Sequence, residues 1–388
     1  MTIHDFDEIR PYEPEEVSGV IDELLTDRQF SLVLKGLVPW LPKGIRNGLI
    51  RLLLHGVKST QDFQVRVMKP VVRFLMFRTT SKYSFGYPED LSKDGRYVFL
   101  SNHRDIVLDS AFLDVMLYNN KFQRTCEIGI GDNLLIYPWI RKMVKLNKSF
   151  TVRRGLTPKE MLRSSILMSN YIHFAVNQKR ENVWIAQREG RAKDSDDRTQ
   201  EAVLKMFAMG GEGSVIEKLK DLHIVPLTIS YEYDPCDYLK AEEFQFKRDV
   251  PGWKKKKQDD LDNMKTGIFG KKGGLHYEAA PCIDAWLDTL PADMPKQEVF
   301  AKVAEHIDKE IHSRYKLYPG NWIALDAING NDANKDKYTE KDKDVFEAYI
   351  SERISKVRVP DPDVEFLRER LMTMYANPAR NYLAATGK

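Results

Sequence analysis

Tyr97-Val98-Phe99-Leu100-Ser101-Asn102-His103-Arg104-Asp105-Ile106-Val107-Leu108-Asp109-Ser110-Ala111-Phe112-Leu113 is the stretch on which the fold turns. Tyr97 to Leu100 follow an Asp94-Gly95 turn and form a short, β-favouring run. Ala111 to Leu117 read as a helix. The same unit then recurs. Glu127 to Ile130 read as a second strand, with a helix around 134–145 after it. Ser149 to Val152 read as a third. Thr157-Pro158-Lys159-Glu160 opens the next helix with an N-cap, a proline in its first turn and a glutamate at the third position. That helix runs to about Gln178. Asn182 to Ala186 and His223 to Ile229 complete the series. Strands alternating with helices predict an α/β domain with a mostly parallel central sheet flanked by helices.

The rest of the chain frames this unit. Of 388 residues 42% are apolar and 30% charged, with a net charge of +3. That balance excludes a dedicated nucleic-acid binder, which carries a strong basic excess, and 11% aromatic content excludes a disordered chain. No apolar run approaches the roughly 18–20 residues of a spanning helix, and the acidic start lacks the basic region of a secretory signal. Cys126, Cys236 and Cys282 are far apart, without metal-ligand spacing, and fit buried thiols in a reducing cytosol. No metal is implied.

The charge is layered. Residues 1–27 carry nine acids and one base, residues 28–88 carry eleven bases and one acid, and the remainder sums to +1. The basic segment is also amphipathic. Ile45, Leu49, Leu52 and Leu53 share one helix face. Val67/Met68, Val71/Val72 and Leu75/Met76 recur every four residues, with Arg66, Lys69 and Arg73 between them. Pro70 starts or kinks a helix there, and Trp40 suits an interfacial position. Two readings stay open: a helix lying in the plane of an anionic membrane, or a helical hairpin packed on the domain with a solvated basic face. The acidic 1–27 would screen the basic segment when no membrane is present.

The expected division is therefore an acidic segment over 1–27, a basic membrane-association segment over 28–88, and a catalytic domain over 89–328. Within the last, 231–281 reads as an insertion, with solvated lysine runs at Lys254–Lys257 and Lys271-Lys272. Residues 329–388 read as a linker and a helical C-terminal extension with helices at about 339–356 and 362–376.

In parallel sheets, sites gather at the carboxyl ends of strands. After the first strand comes Ser101-Asn102-His103-Arg104-Asp105, after the third Arg153-Arg154-Gly155, and after the fourth Gln187-Arg188-Glu189-Gly190-Arg191. A histidine, acids and several arginines converge on one edge, and guanidinium forks suit a phosphate. His103-Arg104-Asp105 imitates the protein-kinase catalytic loop. Ser110 stands where the metal-binding Asn should be, and no Gly-rich loop or DFG is present, so the kinase reading fails.

The constellation resembles the glycerol-3-phosphate and 1-acylglycerol-3-phosphate acyltransferase family, which has four blocks in order. Here they are Asn102-His103 to Asp109, Phe150 to Gly155, Arg188-Glu189-Gly190-Arg191-Ala192-Lys193, and Val225-Pro226-Leu227. The resemblance covers about 95–230. The family's His-x4-Asp spacing would put the acid at Leu108. Asp109 gives one residue more, and Asp105 is the other candidate partner. The resemblance implies transfer of a fatty acyl group from an acyl thioester, acyl-CoA or acyl-carrier protein, to the hydroxyl of glycerol 3-phosphate or 1-acylglycerol 3-phosphate. His103 would be the general base, since an imidazole titrates near neutrality, and Asp109 would orient it. Arg153, Arg188 and Arg191 would hold the acceptor phosphate, with Arg154 pointing elsewhere, and Glu189 and Gly190 would shape the pocket. No cofactor beyond the thioester co-substrate is implied. The implied location is peripheral, on the cytoplasmic face of a membrane bearing anionic lipids, with no nucleic-acid partner. Another acceptor, such as an acylated amino acid, and a non-catalytic lipid-binding relative are the alternatives.

Overall fold

The structure of the 388-residue chain is a computed structural model that describes residues 1–37 and 42–388. Trp40 lies outside the described residues. Seven strands form one sheet: β1 (Thr80–Gly86), β2 (Val98–Ser101), β3 (Cys126–Gly131), β4 (Ser149–Val152), β5 (Asn182–Ala186), β6 (Ile224–Tyr231) and β7 (Gly273–Ala279). Their spatial order is β1-β7-β6-β2-β5-β3-β4. The block from β6 to β4 is parallel throughout. β7 runs antiparallel to β6 and parallel to β1, so the last two strands are reversed. The mostly parallel sheet matches the expectation.

Alternation along the strands sorts side chains onto two faces. Val98 and Leu100 of β2, with Val183, Ile185 and Ile224, pack under Tyr171, Ile172, Leu204 and the helix Lys296–Ser313. Phe99, Trp184, Val225 and Leu227 pack on the opposite face against Phe112, Leu113 and Met116 of the helix Leu108–Asn119. Both faces of β2 and β6 are buried, which is why these strands read as continuous apolar runs rather than alternating ones. Each fully buried aliphatic or aromatic side chain here contributes roughly 1.5–3 kcal/mol.

Three expected boundaries are corrected. Strand β1 falls inside the supposed membrane segment 28–88, so the sheet begins before residue 89. The supposed insertion 231–281 contains β7, which β6 and β1 hydrogen-bond on both sides, and Lys272 beside it is completely buried. The acidic segment is not a detached layer. Phe6 and Ile9 sit in the main core, and Thr151 N–H of β4 donates to the Ile9 carbonyl at 3.0 Å. Val17, Val20, Ile21, Leu24 and Leu25 of the helix Pro14–Thr26 form a second cluster with Phe63 and Leu146. Removing residues 2–27 would therefore strip the core rather than unmask a basic surface.

In the basic segment, the helix Lys69–Thr79 begins at the Lys69-Pro70 step directly after a π-helical turn, Gln64–Met68. Pro70 lacks the N–H an internal turn needs, which favours such a local rearrangement. Val72 and Met76 are buried, while Val71, Phe74 and Phe77 face outward, Phe77 at 82% exposure. No described helix is long and apolar enough to cross a membrane. The C-terminal helices Pro319–Asn329, Glu340–Ile354 and Val364–Thr386 close a further core around Trp322, Phe346, Leu371 and Tyr375.

Candidate active site

The carboxyl end of β2, the middle strand, delivers Asn102-His103-Arg104-Asp105. Asn102 is tied to β6 in both directions: its Nδ2 donates to the Ile229 carbonyl at 2.9 Å and its Oδ1 accepts from Ile229 N–H at 2.8 Å. The chain then curls around one buried carboxylate. Asp109 Oδ2 accepts from the backbone N–H of Arg104 at 2.6 Å and of Asp105 at 3.0 Å, and lies 2.8 Å from His103 Nδ1. Asp109 Oδ1 accepts from the Tyr231 hydroxyl at 2.9 Å, and the Tyr277 hydroxyl donates to the Asp109 carbonyl at 3.0 Å. Burial first, then Tyr277 and the Asp109 carboxylate, hold the Tyr231 phenol far above its usual range, so it remains a donor.

Asp109 is fully buried and the His103 side chain is 13% exposed. The imidazole packs edge-on against Trp184, with ring centroids 5.7 Å apart, and Trp184 Nε1 is itself held by Ser101 Oγ at 3.1 Å. No described residue hydrogen-bonds Nε2. The ring is thus fixed through Nδ1 and one face, with Nε2 left to act on a ligand.

Asp105 does a different job. Its Oδ1 accepts from Val107 and Leu108 N–H at 2.9 and 2.8 Å, which satisfies two otherwise orphan donors where the helix Leu108–Asn119 begins. Its Oδ2 is buried without a hydrogen-bond partner, and burial, against the pull of Lys272, pushes its carboxyl above the usual range. The geometry therefore pairs His103 with Asp109. The extra residue in the spacing is absorbed by a turn that wraps back so that the backbone N–H groups of Arg104 and Asp105 also reach Asp109.

The arginine block and the Glu-Gly block meet. The Arg154 guanidinium pairs with Glu189, and Arg154 N–H donates to Asp132 at 3.1 Å. It is Arg153 that points away, to Glu8 of the N-terminal segment at 2.6 Å, the reverse of the expected orientation. Arg191 Nη2 donates to Asn263 at 3.0 Å. Arg188 Nε, Arg191 Nη1 and Gln187 Nε2 are buried with no acceptor. Gly190 has φ +67°, a left-handed turn that favours glycine. Arg104, next to the histidine, faces inward and forms a buried ion pair with Asp197 at 3.1 Å.

Comparison with known families decides the class. The family model described as Acyltransferase matches residues 83–230. Residues 83–230 form an acyltransferase-family domain. No curated protein sequence matches the chain. A solved structure, the 1-acyl-sn-glycerophosphate (LPA) acyltransferase PlsC from Thermotoga maritima, is similar over 68% of this chain and 88% of that one, at 11% identity and a TM-score of 0.36.

The acyltransferase domain thus runs from β1 to β6, and all of His103, Asp109, Arg153, Arg154, Arg188, Glu189, Gly190 and Arg191 fall within the match. Tyr231, which braces Asp109, lies one residue past it, and Tyr277 lies well beyond. Neither was legible beforehand, because nothing local marks a tyrosine at a strand end as a partner for a distant acid. Among the described residues, His223, Cys282 and Asp284 bring potential metal-ligand atoms within 4.8 Å of one another at the amino end of β6, the opposite edge of the sheet. His223 Nδ1 is there 2.6 Å from Asp284 Oδ2. The wide spacing of the cysteines conceals this grouping.

Proposed function

We propose that the acyltransferase domain moves a fatty acyl group from a thioester, acyl-CoA or acyl-carrier protein, to the hydroxyl of glycerol 3-phosphate or its 1-acyl product. The single observation that carries the reading is the imidazole of His103, held on Asp109 through Nδ1 with Nε2 unengaged. Nε2 takes the proton of the acceptor hydroxyl as its oxygen attacks the thioester carbonyl. The tetrahedral intermediate then expels the thiolate, which recovers the proton from the imidazolium. Asp109 stabilises that imidazolium, and Tyr231 stabilises Asp109. The acceptor itself attacks, so the chain needs no nucleophilic Ser or Cys.

The phosphate assignment draws support from the unsatisfied donors. A buried N–H without an acceptor costs roughly 1–3 kcal/mol, and three such groups lie on the five-residue segment Gln187–Arg191. We assign the acceptor phosphate to these donors, which would give them the acceptors they lack. Arg154 reaches this segment through Glu189, whereas Arg153 stands apart on Glu8. The outward-facing Ile45, Leu52, Val71, Phe74 and Phe77 among the bases of residues 28–88 support seating on an anionic membrane surface.

The test is thiol release from acyl-CoA and acyl-carrier protein with glycerol 3-phosphate, 1-acylglycerol 3-phosphate and a phosphate-free alcohol as acceptors. His103→Ala should abolish acceptor-dependent release while the far-ultraviolet circular dichroism stays unchanged. Full activity in that variant, or equal activity on the phosphate-free acceptor, overturns the reading.

A further inference from the structure

Outside the residues that match the acyltransferase family, a groove of about 820 Å³ opens between the helix Lys257–Phe269, the segment leaving β6 at Tyr233, and the helix Glu340–Ile354. Its charged lining is unbalanced. Five cations face one acid, Glu352. Two of the cations are already neutralised: Arg353 by buried Asp237 at 2.5 Å, and Lys356 by Glu352. The other three, Lys265, Lys271 and Arg358, make no side-chain ion pair among the described residues, although the Arg358 backbone N–H donates to the Glu242 carboxylate at 2.7 Å. Lys271 lies 4.9 Å over the Tyr233 ring. Like charges collected in a concavity raise the local potential, and a bound anion relieves it.

The remaining walls are aromatic. Phe269 is 67% exposed and presents its ring to the groove. Tyr349 is fixed, its hydroxyl donating to Asp237 at 2.6 Å, and its ring lies 4.5 Å from that of Tyr233. A bare phosphate leaves most of this volume empty. The size is that of a site for an organic ligand.

We infer that the groove is a binding site for an organic phosphate, its anionic end held by Lys265, Lys271 and Arg358 and its planar or apolar body lying against Phe269 and Tyr349. An arginine fork beside two lysines suits phosphate oxygens, and the fixed rings suit a flat or hydrocarbon body. The proposal does not rest on the acyl-transfer reading. The two sites nonetheless share a wall. Helix Lys257–Phe269 also holds Arg191 through Asn263 and lays Gly267 on Asp105.

Isothermal titration of the full chain tests the idea without turnover, so its outcome is separate from that of thiol release. The probes are adenosine 3′,5′-bisphosphate, adenosine, inorganic phosphate, and vesicles of phosphatidylcholine with or without phosphatidate. The bisphosphate should bind more tightly than adenosine or phosphate. Lys265→Gln/Lys271→Gln/Arg358→Gln should weaken it at least tenfold, and Phe269→Ser should weaken it by a smaller factor. Binding of phosphatidate vesicles alone, lost in the same triple variant, assigns the phosphate to a lipid headgroup rather than a soluble nucleotide. The proposal is overturned if no phosphate probe binds, if the triple variant binds as wild type, or if a phosphate-free glutamate-rich peptide outcompetes every phosphate.

Discussion

Asp109→Asn separates the charge of the carboxylate from its geometry. Asp109 Oδ2 accepts from two backbone N–H groups as well as lying on His103 Nδ1. An amide nitrogen cannot replace that oxygen without opposing two donors in a buried site. The asparagine must therefore place its carbonyl where Oδ2 stands and its NH2 toward Tyr231, whose hydroxyl turns to accept. The imidazole then keeps its Nδ1–H orientation. This differs from serine proteases, where the same change inverts the tautomer and costs about 10⁴ in kcat. What is lost here is charge. Replacing a charge-assisted hydrogen bond by a neutral one costs at least about 1 kcal/mol. The Coulomb attraction of a unit charge pair about 4 Å apart near a protein surface is about 4 kcal/mol. These limits translate into a fall in kcat of roughly 5- to 1000-fold. Asp109→Ala instead strands the ring N–H and both backbone donors and should fall further, with a loss of stability. The assay is continuous thiol release, with urea unfolding as the control. Asp105→Asn, which touches the helix start and not the ring, should lose less activity than Asp109→Ala. The reasoning is refuted if Asp109→Asn is fully active, if it is as poor as Asp109→Ala, or if Asp105→Asn alone is dead.

Three further outcomes follow from the packing. A Cβ at Gly267 would lie 2.4 Å from Asp105 Oδ2, on a side chain that two backbone donors pin. Gly267→Ala should therefore lower stability by about 1–3 kcal/mol, although such a change inside a helix ordinarily raises it by about 1 kcal/mol. The urea midpoint gives the sign. Burial first pushes the Asp114 carboxyl up to about 7, against its hydrogen bond from Cys126 N–H. The folded chain then holds a proton that the unfolded chain releases near pH 4, so this group's contribution falls as pH rises from about 4 to 7. Asp114→Asn should gain relative to wild type between pH 5 and 7.5, and parallel stability curves would count against the shift. Phe74→Ser with Phe77→Ser removes two exposed rings worth roughly 1.5–3 kcal/mol each if buried in lipid. Co-sedimentation with anionic vesicles should drop at least tenfold without a change in unfolding midpoint, and equal sedimentation would exclude that helix as a membrane contact.

The sequence carried the centre of the molecule and not its margins, for a physical reason. β2, β5 and β6 are buried on both faces and announce themselves as apolar runs. β1 is a half-exposed edge strand, Thr-Ser-Lys-Tyr-Ser-Phe-Gly, and β7 opens on two glycines after two lysines, so neither has a local signature. β1 exists by pairing with β7 across almost two hundred residues, and β7 by pairing with both β1 and β6. The site divides in the same way. His103 and Asp109 lie within one turn and were legible. Tyr231, Tyr277 and Asn263 reach the site from separate elements, and the orientations of Arg153 and Arg154 depend on Glu8 and Glu189, which only the tertiary structure supplies. Lysine runs misled once: Lys254, Lys255 and Lys256 are solvated, whereas Lys272 is buried with its ammonium on the Gly267 and Gly270 carbonyls.

The contact of Ile9 with Thr151 has a consequence for biosynthesis. Ile9 precedes the edge strand it seals by about 140 residues, so the acidic segment 1–27 waits undocked until β4 has been made. Until it docks, β4 is an open edge that can recruit another nascent chain, and Arg153 lacks Glu8. Closure of this segment thus follows synthesis of β4 and reports that this edge strand is in place. A protease cutting near Glu8 would distinguish molecules with this edge sealed from those with it open.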